Sequence, residues 1–118
     1  MLPNRLRISK ETSEQLKYIK SKTGVTPNVL CRLAIAHSFK DQKRLKNKKI
    51  NLDGLEFNSY TLFGNHVKLY ECLFQQVYGR LDSKEIELVI ASHIDEGVKA
   101  LRSVKSLADL TRREPRGT

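Results

Sequence analysis

The side chains most able to do chemistry in this chain are its bases. Of the first 49 residues, 13 are Lys or Arg and 3 are Asp or Glu, a net +10 in a protein whose whole formal charge is +9. Residues 50–101 hold 4 basic and 8 acidic side chains, a net −4, and residues 102–118 hold 5 and 2, a net +3. Charge concentrated in this way attracts a polyanion, whether nucleic acid, an acidic membrane or an acidic protein. Duplex DNA presents a negative charge every ~1.7 Å of axis, and each phosphate neutralised releases counterions. Lysine outnumbers arginine in the basic region, and an ammonium is a mobile point charge better matched to phosphate than to base edges. Lys17, Lys20 and Lys22 form one candidate phosphate-binding group. Lys43, Arg44, Lys46, Lys48 and Lys49 form a second. Arg5 and Arg7 are a third, and they differ in kind. In Arg5-Leu6-Arg7-Ile8 the apolar and basic residues alternate, as on a half-buried strand whose outer face carries both guanidinium groups.

Other chemistries find less support. Cys31 and Cys72 belong to no Cys-x-x-Cys pair, so each is expected as a small buried hydrophobe in a reducing, cytoplasmic setting. Arg32 could activate Cys31, but burial opposes that effect. His37, His66 and His93 fall on three different expected helices without metal-ligand spacing, so no metal is expected. No glycine-rich phosphate loop or dinucleotide motif occurs, and no cofactor is expected. Asp95-Glu96 and the Glu85/Glu87 pair suit a solvated helix face. No apolar run of ~18 residues offers a membrane span. The balance favours a protein that is not an enzyme.

The elements that must carry these residues read as mainly α, a compact single domain of about four to five helices over residues 1–118. Ser9 suits the N-cap of a first helix that Gly24 ends, with Leu16 and Ile19 inward. Thr26-Pro27 starts a second helix, apolar almost all round, which places it in the core or between subunits. Residues 40–49 form a basic helix end or solvated loop. Residues 50–64 are irregular, with some short extended structure and docking points at Leu52, Leu55, Phe57, Leu62 and Phe63. A third helix fits residues 65–79, with Val67, Tyr70, Phe74, Val77 and Tyr78 on one face. Asp82 and Glu85 spell a capping box for a fourth, along Ile86, Val89, Ile90, Ile94 and Leu101. Gly97 within it marks a close packing contact or a bend. Val104, Leu107 and Leu110 suggest a short last helix, and residues 111–118 a mobile tail.

Two resemblances add to this reading. Residues 5–39 resemble a ribbon-helix-helix module: an alternating strand, a helix, the turn Gly24-Val25-Thr26 and an apolar second helix. In that family two strands pair across a dimer and enter the major groove, which implies a transcriptional repressor reading bases with Arg5 and Arg7. The other resemblance spans nearly the whole chain. The run "RLRISKETSEQLKYIKSKTGVTPNVLCRLAIAHSF", the later "SYTLFG" and the end "LVIASHIDEGVKALRSVKSLADL" are similar to the DndE family of bacterial DNA phosphorothioation systems. That likeness implies an accessory subunit without activity of its own. Its partners would be a cysteine desulfurase, a sulfurtransferase and an ATPase, which together replace a non-bridging phosphate oxygen by sulfur. It further implies a helical homotetramer that prefers nicked duplex DNA.

Overall fold

Capping residues divide the chain where the sequence indicates. The computed structural model describes residues 2–40 and 50–102. Helix α1 spans Lys10–Thr23. The Ser9 hydroxyl accepts from the Thr12 amide at 3.1 Å, satisfying one of the first-turn donors. Gly24 ends α1 in the left-handed conformation at φ 75°. Helix α2 spans Pro27–Lys40. The chain returns through a short strand and a one-turn helix, α3, Ser59–Phe63, capped by Asn58. A 3-10 turn, Gly64–His66, leads into α4, Val67–Tyr78. Helix α5, Ser83–Leu101, opens on the expected capping box: Asp82 accepts from the Glu85 amide at 2.8 Å, and Glu85 accepts from the Asp82 amide at 3.0 Å. The architecture is mainly α.

The core is built on the crossing of α2 and α5. Leu30, Cys31, Ala34 and Ile35 of α2 are buried with Ile86, Ile90, Ile94, Val98 and Leu101 of α5. Gly97 is the point of closest approach. A Cβ there would lie 1.7 Å from the Ala34 carbonyl oxygen, so only hydrogen fits. The apolar character of α2 is thus used largely inside the chain. His93 of α5 sits at the same crossing, fully buried, with Ser38 Oγ 2.6 Å from Nδ1 and Tyr78 Oη 2.5 Å from Nε2. Its ring stacks on Phe39 at 4.4 Å. Packed aromatic and hydroxyl partners satisfy the imidazole on every side.

The N-terminal strand β1, Arg5–Arg7, pairs antiparallel with β2, Glu56–Asn58, of the same chain. Leu6 faces Phe57 and both are buried. The ladder continues from the Ile8 amide to the Leu55 carbonyl at 3.0 Å and from the Gly54 amide to the Ile8 carbonyl at 2.7 Å. The opposite edge of β1 is also occupied, since the Arg7 amide donates to Glu87 Oε2 at 3.0 Å. The strand-helix-helix order of the ribbon-helix-helix module is therefore present, but its intermolecular ribbon is replaced by a strand pair inside one chain. The edge that would form the ribbon is paired with β2, and the Arg7 amide on the other is held by Glu87.

Three expectations change. The third helix begins at Val67 rather than residue 65, and α3 precedes it inside a stretch read as irregular. Of its expected inward face only Phe74 is fully buried. Cys72 is exposed rather than buried, whereas Cys31 is buried as anticipated. The expected last helix and tail, with Val104, Leu107 and Leu110, lie outside the described residues. No helix among the described residues is long and apolar enough to cross a membrane.

Candidate nucleic-acid interface

The first group of bases lies on α1. Leu16 and Ile19 fix the helix to the core, which turns Lys10, Lys17, Lys20 and Lys22 to solvent, all of them exposed. At about 100° per residue, Lys10, Lys17 and Lys20 share one side of the cylinder. Glu11 and Lys22 lean toward the other, and Glu14, four residues after Lys10 and three before Lys17, borders both lysines. Lys22 Nζ stands 5.5 Å from the Tyr18 ring centroid, a cation–π contact at the helix end. The Lys10 side thus forms a cationic edge, while the Glu11 side carries mixed charge.

That edge is held beside the ribbon by a serine network. Gly54 packs against Ser9 and Ser13 so closely that a Cβ would lie 2.2 Å from Ser13 Oγ. Ser13 Oγ donates to the Ser9 carbonyl at 2.8 Å and accepts from the Leu55 amide at 2.8 Å. Asp53 accepts from the Lys10 amide at 2.9 Å. The Thr12 hydroxyl donates to Asp95 of α5 at 2.9 Å, tying the start of α1 to the central helix. The Lys10 and Thr12 amides at the start of α1 are consequently occupied by the protein's own oxygens.

Arg5 and Arg7 project from the outer face of the ribbon, as the alternation implies. They do not stand as free cations. Glu56 on the neighbouring strand accepts from Arg5 Nη1 at 2.8 Å and from Arg7 Nη2 at 3.3 Å. Arg7 Nη1 also reaches the Gly54 carbonyl at 3.3 Å. One carboxylate shared by two guanidinium groups leaves this face a formal +1. The side chains remain 70% and 46% exposed, so water screens the pairs and the arginines keep donors to spare.

Lys43, Arg44, Lys46, Lys48 and Lys49 lie outside the described residues. Of the ten bases singled out in the sequence, the structure therefore positions five, on two neighbouring elements. Two contributors escaped sequence reasoning. Lys10 belongs to the lysine edge, which its seven-residue spacing from Lys17 signals. Glu56 clamps both arginines, and nothing local marks it because the contact depends on strand register. Arg32, half-buried on α2, lacks a hydrogen bond at Nε.

Catalytic alternatives are poorly served. Burial pushes the Cys31 thiol far above its ordinary pKa, which disfavours the thiolate a nucleophile needs. Ser38 and His93 form a Ser–His pair, but both are buried and closed off by Phe39, Phe74 and Tyr78. Among the described residues no group of three or more His, Cys, Asp or Glu side chains could hold a metal ion.

Comparison with known proteins gives one consistent result. Residues 5–109 match the family model of the DNA sulphur modification protein DndE. The crystal structure of DndE from Escherichia coli B7A, involved in DNA phosphorothioation modification, is 34% identical with a TM-score of 0.77, covering 83% of this chain and 97% of that one. The crystal structure of a DndE mutant involved in DNA phosphorothioation is 33% identical with a TM-score of 0.78, covering 86% of this chain and 100% of that one. A comparison with curated proteins returned no match. Fold and sequence together define a small, mainly helical protein of DNA sulphur modification. The chain belongs to the DndE family.

Proposed function

We propose that this chain is a non-catalytic accessory subunit of a DNA phosphorothioation complex, which holds duplex DNA by its backbone through the lysine-rich side of α1 and the ribbon arginines. The observation that carries the reading is the exposed Lys10, Lys17 and Lys20 edge in a chain of the DndE family. Lysine recognises phosphate without reading sequence, which suits a subunit whose partners perform the chemistry. Those partners are the sulfurtransferase and ATPase of the system. A homotetramer would repeat the basic edge and raise avidity for a long polyanion. Lys43, Arg44, Lys46, Lys48 and Lys49 are further bases whose charge would add to the phosphate affinity. A nick would suit this mode of holding, because it leaves the backbone locally flexible.

The test is a titration of intact and nicked duplexes at two salt concentrations. Each phosphate contact adds ~0.9 to the slope of log affinity against log salt. Lys17→Gln with Lys20→Gln should lower that slope by ~1.8 and weaken binding to unrelated sequences equally. Salt-independent binding, or no binding to either duplex, would sink the proposal. A repressor would instead choose one sequence and lose that choice in Arg5→Ala with Arg7→Ala. The clamped, intramolecular ribbon favours the accessory reading.

A further inference from the structure

Among the large hydrophobic side chains of the described residues, Tyr60 stands furthest into solvent, at 73% exposure. Its backbone is nonetheless firmly held. The Tyr60 amide donates to Asn58 Oδ1 at 2.8 Å, and its carbonyl accepts from the Gly64 amide. On one side the Ser59 amide donates to the Asn4 carbonyl at 2.9 Å. On the other, Asn28 Nδ2 donates to the Thr61 carbonyl at 3.1 Å and ties α3 to α2. Leu62 and Phe63 are fully buried anchors. An aromatic ring held out on a fixed backbone loses little further freedom when a ligand packs on its face.

The ring borders a groove of about 530 Å³ between the N-terminal segment, α3 and the start of α4. That volume lies in the ~300–1,000 Å³ range of small-ligand sites. Leu2, Pro3 and Val67 give the lining an apolar part, and Asn4, Asn65 and Lys68 an exposed polar one. Glu71 also lines the groove; one of its oxygens accepts from the Leu2 amide at 2.8 Å, and the other remains an acceptor. A nucleobase matches this mixture. Its faces stack on an aromatic ring, and its edge carries both donors and acceptors, which side-chain amides and a carboxylate complement. The groove also adjoins the arginine ribbon. Asn4 precedes Arg5 in the chain, and Asn58, which caps α3, faces Arg5 across the strand pair. The Arg5 side chain is 70% exposed. In a paired duplex the base faces are covered by their neighbours, so only a base without a partner can turn out onto the ring.

We infer that Tyr60 is a stacking platform for an unpaired nucleotide of the DNA, whose base enters the groove while Arg5 and Lys68 hold the flanking phosphates. The inference rests on the DNA-holding reading above and deepens it: the contacts in that reading go to the backbone, and this one goes to a base. Stacking tolerates every base, so the groove recognises an unpaired position without recognising sequence.

The experiment compares two duplexes of one sequence, one fully paired and one carrying a single extrahelical 2-aminopurine. Anisotropy of an end label reads affinity, and quenching of the 2-aminopurine reads stacking. The bulged duplex should bind about 5- to 150-fold more tightly, the range that stacking of one base supplies. Tyr60→Ala should abolish both this preference and the quenching, while the paired duplex binds as before. Tyr60→Phe keeps the ring and should keep both. If thermal unfolding shows that Tyr60→Ala does not fold, Tyr60→Leu carries the test. In the full chain without DNA, tetranitromethane should nitrate Tyr60, located by peptide mass, and the bulged duplex should protect it. Equal affinity for the two duplexes would overturn the inference and leave the DNA-holding reading standing; no binding to either would overturn both. A preference that survives Tyr60→Ala, or a loss shared equally by both duplexes, would also overturn it. So would protection of Tyr60 without DNA, which would assign the groove to another part of this chain or to a second copy. Displacement of the bulged duplex by equimolar free deoxyadenosine monophosphate would make the groove a mononucleotide site and overturn its assignment to DNA.

Discussion

Replacing Gly97 by Ala tests the α2–α5 crossing on which every other element rests. A Cβ at this position would lie 1.7, 2.3 and 2.6 Å from the carbonyl oxygen, carbonyl carbon and Cα of Ala34. Ordinary contact begins near 3.4 Å, so the helices must separate by about 1.7 Å. The neighbour is backbone, and no rotamer change relieves the clash. Alanine itself favours the helix by about 1 kcal/mol over glycine. Overpacking a close-packed core costs typically ~1–3 kcal/mol, occasionally more. Here the whole contact between two helices is loosened as well, so the expected net loss is about 2–4 kcal/mol. For a domain of this size that lowers the thermal midpoint by roughly 8–16 °C. The assay is thermal unfolding followed by circular dichroism. Ala100→Gly, on the exposed side of the same helix, calibrates the propensity contribution alone. A Gly97→Ala midpoint at or above that of the parent protein would refute the close crossing, because helix propensity would then be the only surviving effect.

Three further outcomes follow from named contacts. Glu56→Gln releases Arg5 and Arg7, raising the outer face of the ribbon from +1 to +2; stability should change by less than ~1 kcal/mol, since the pairs are exposed, while the salt slope of DNA binding steepens by ~0.9. An unchanged slope would remove the arginines from the interface. The Glu85 amide, by hydrogen-bonding the Asp82 carboxylate, holds that group below its usual pKa. Its folded pKa is the lower one, so the stabilisation is complete above the ordinary carboxylate range and is lost as pH falls through the folded value. Asp82→Asn should keep a capped helix and flatten the acid limb of a plot of thermal midpoint against pH. Finally, a thiol reagent should label Cys72 in the native protein and Cys31 only after unfolding, read as one equivalent and then two by mass; two native equivalents would contradict the buried position of Cys31.

Helix ends were legible in the sequence because caps are local. Ser9, Gly24, Pro27 and the Asp82–Glu85 box each act through backbone groups within a few residues, and each stands where it was expected. Gly97 was legible as a close contact for the same reason: an interior glycine is costly unless something needs the space. Helix α3 was not legible, since five residues are too few to display a 3.6-residue period. The partner of β1 was hidden as well. Strands of three residues carry almost no pattern, and their register is set by Gly54 lodging against Ser9 and Ser13, a contact between distant parts of the chain. From that register came the sharpest revision at the candidate site. The arginine pair reads in sequence as a free cationic edge, and in the fold Glu56 stands between its members. Cys72 misled because its apolar neighbours suggest burial, whereas α4 leaves much of its apolar surface uncovered.

The order in which the chain leaves the ribosome gives the α2–α5 crossing a further meaning. Ala34 is synthesised early, and its partner Gly97 appears only near the end. Strand β1 likewise waits for Phe57. Until then the first 49 residues, with their net +10, form a nascent segment lacking its principal packing partner, next to ribosomal RNA. At about 5–20 residues per second this interval lasts several seconds. The acidic stretch that follows, net −4 over residues 50–101, is therefore more than a counterweight in the finished protein. It arrives together with α5, the helix that gives α2 its packing partner.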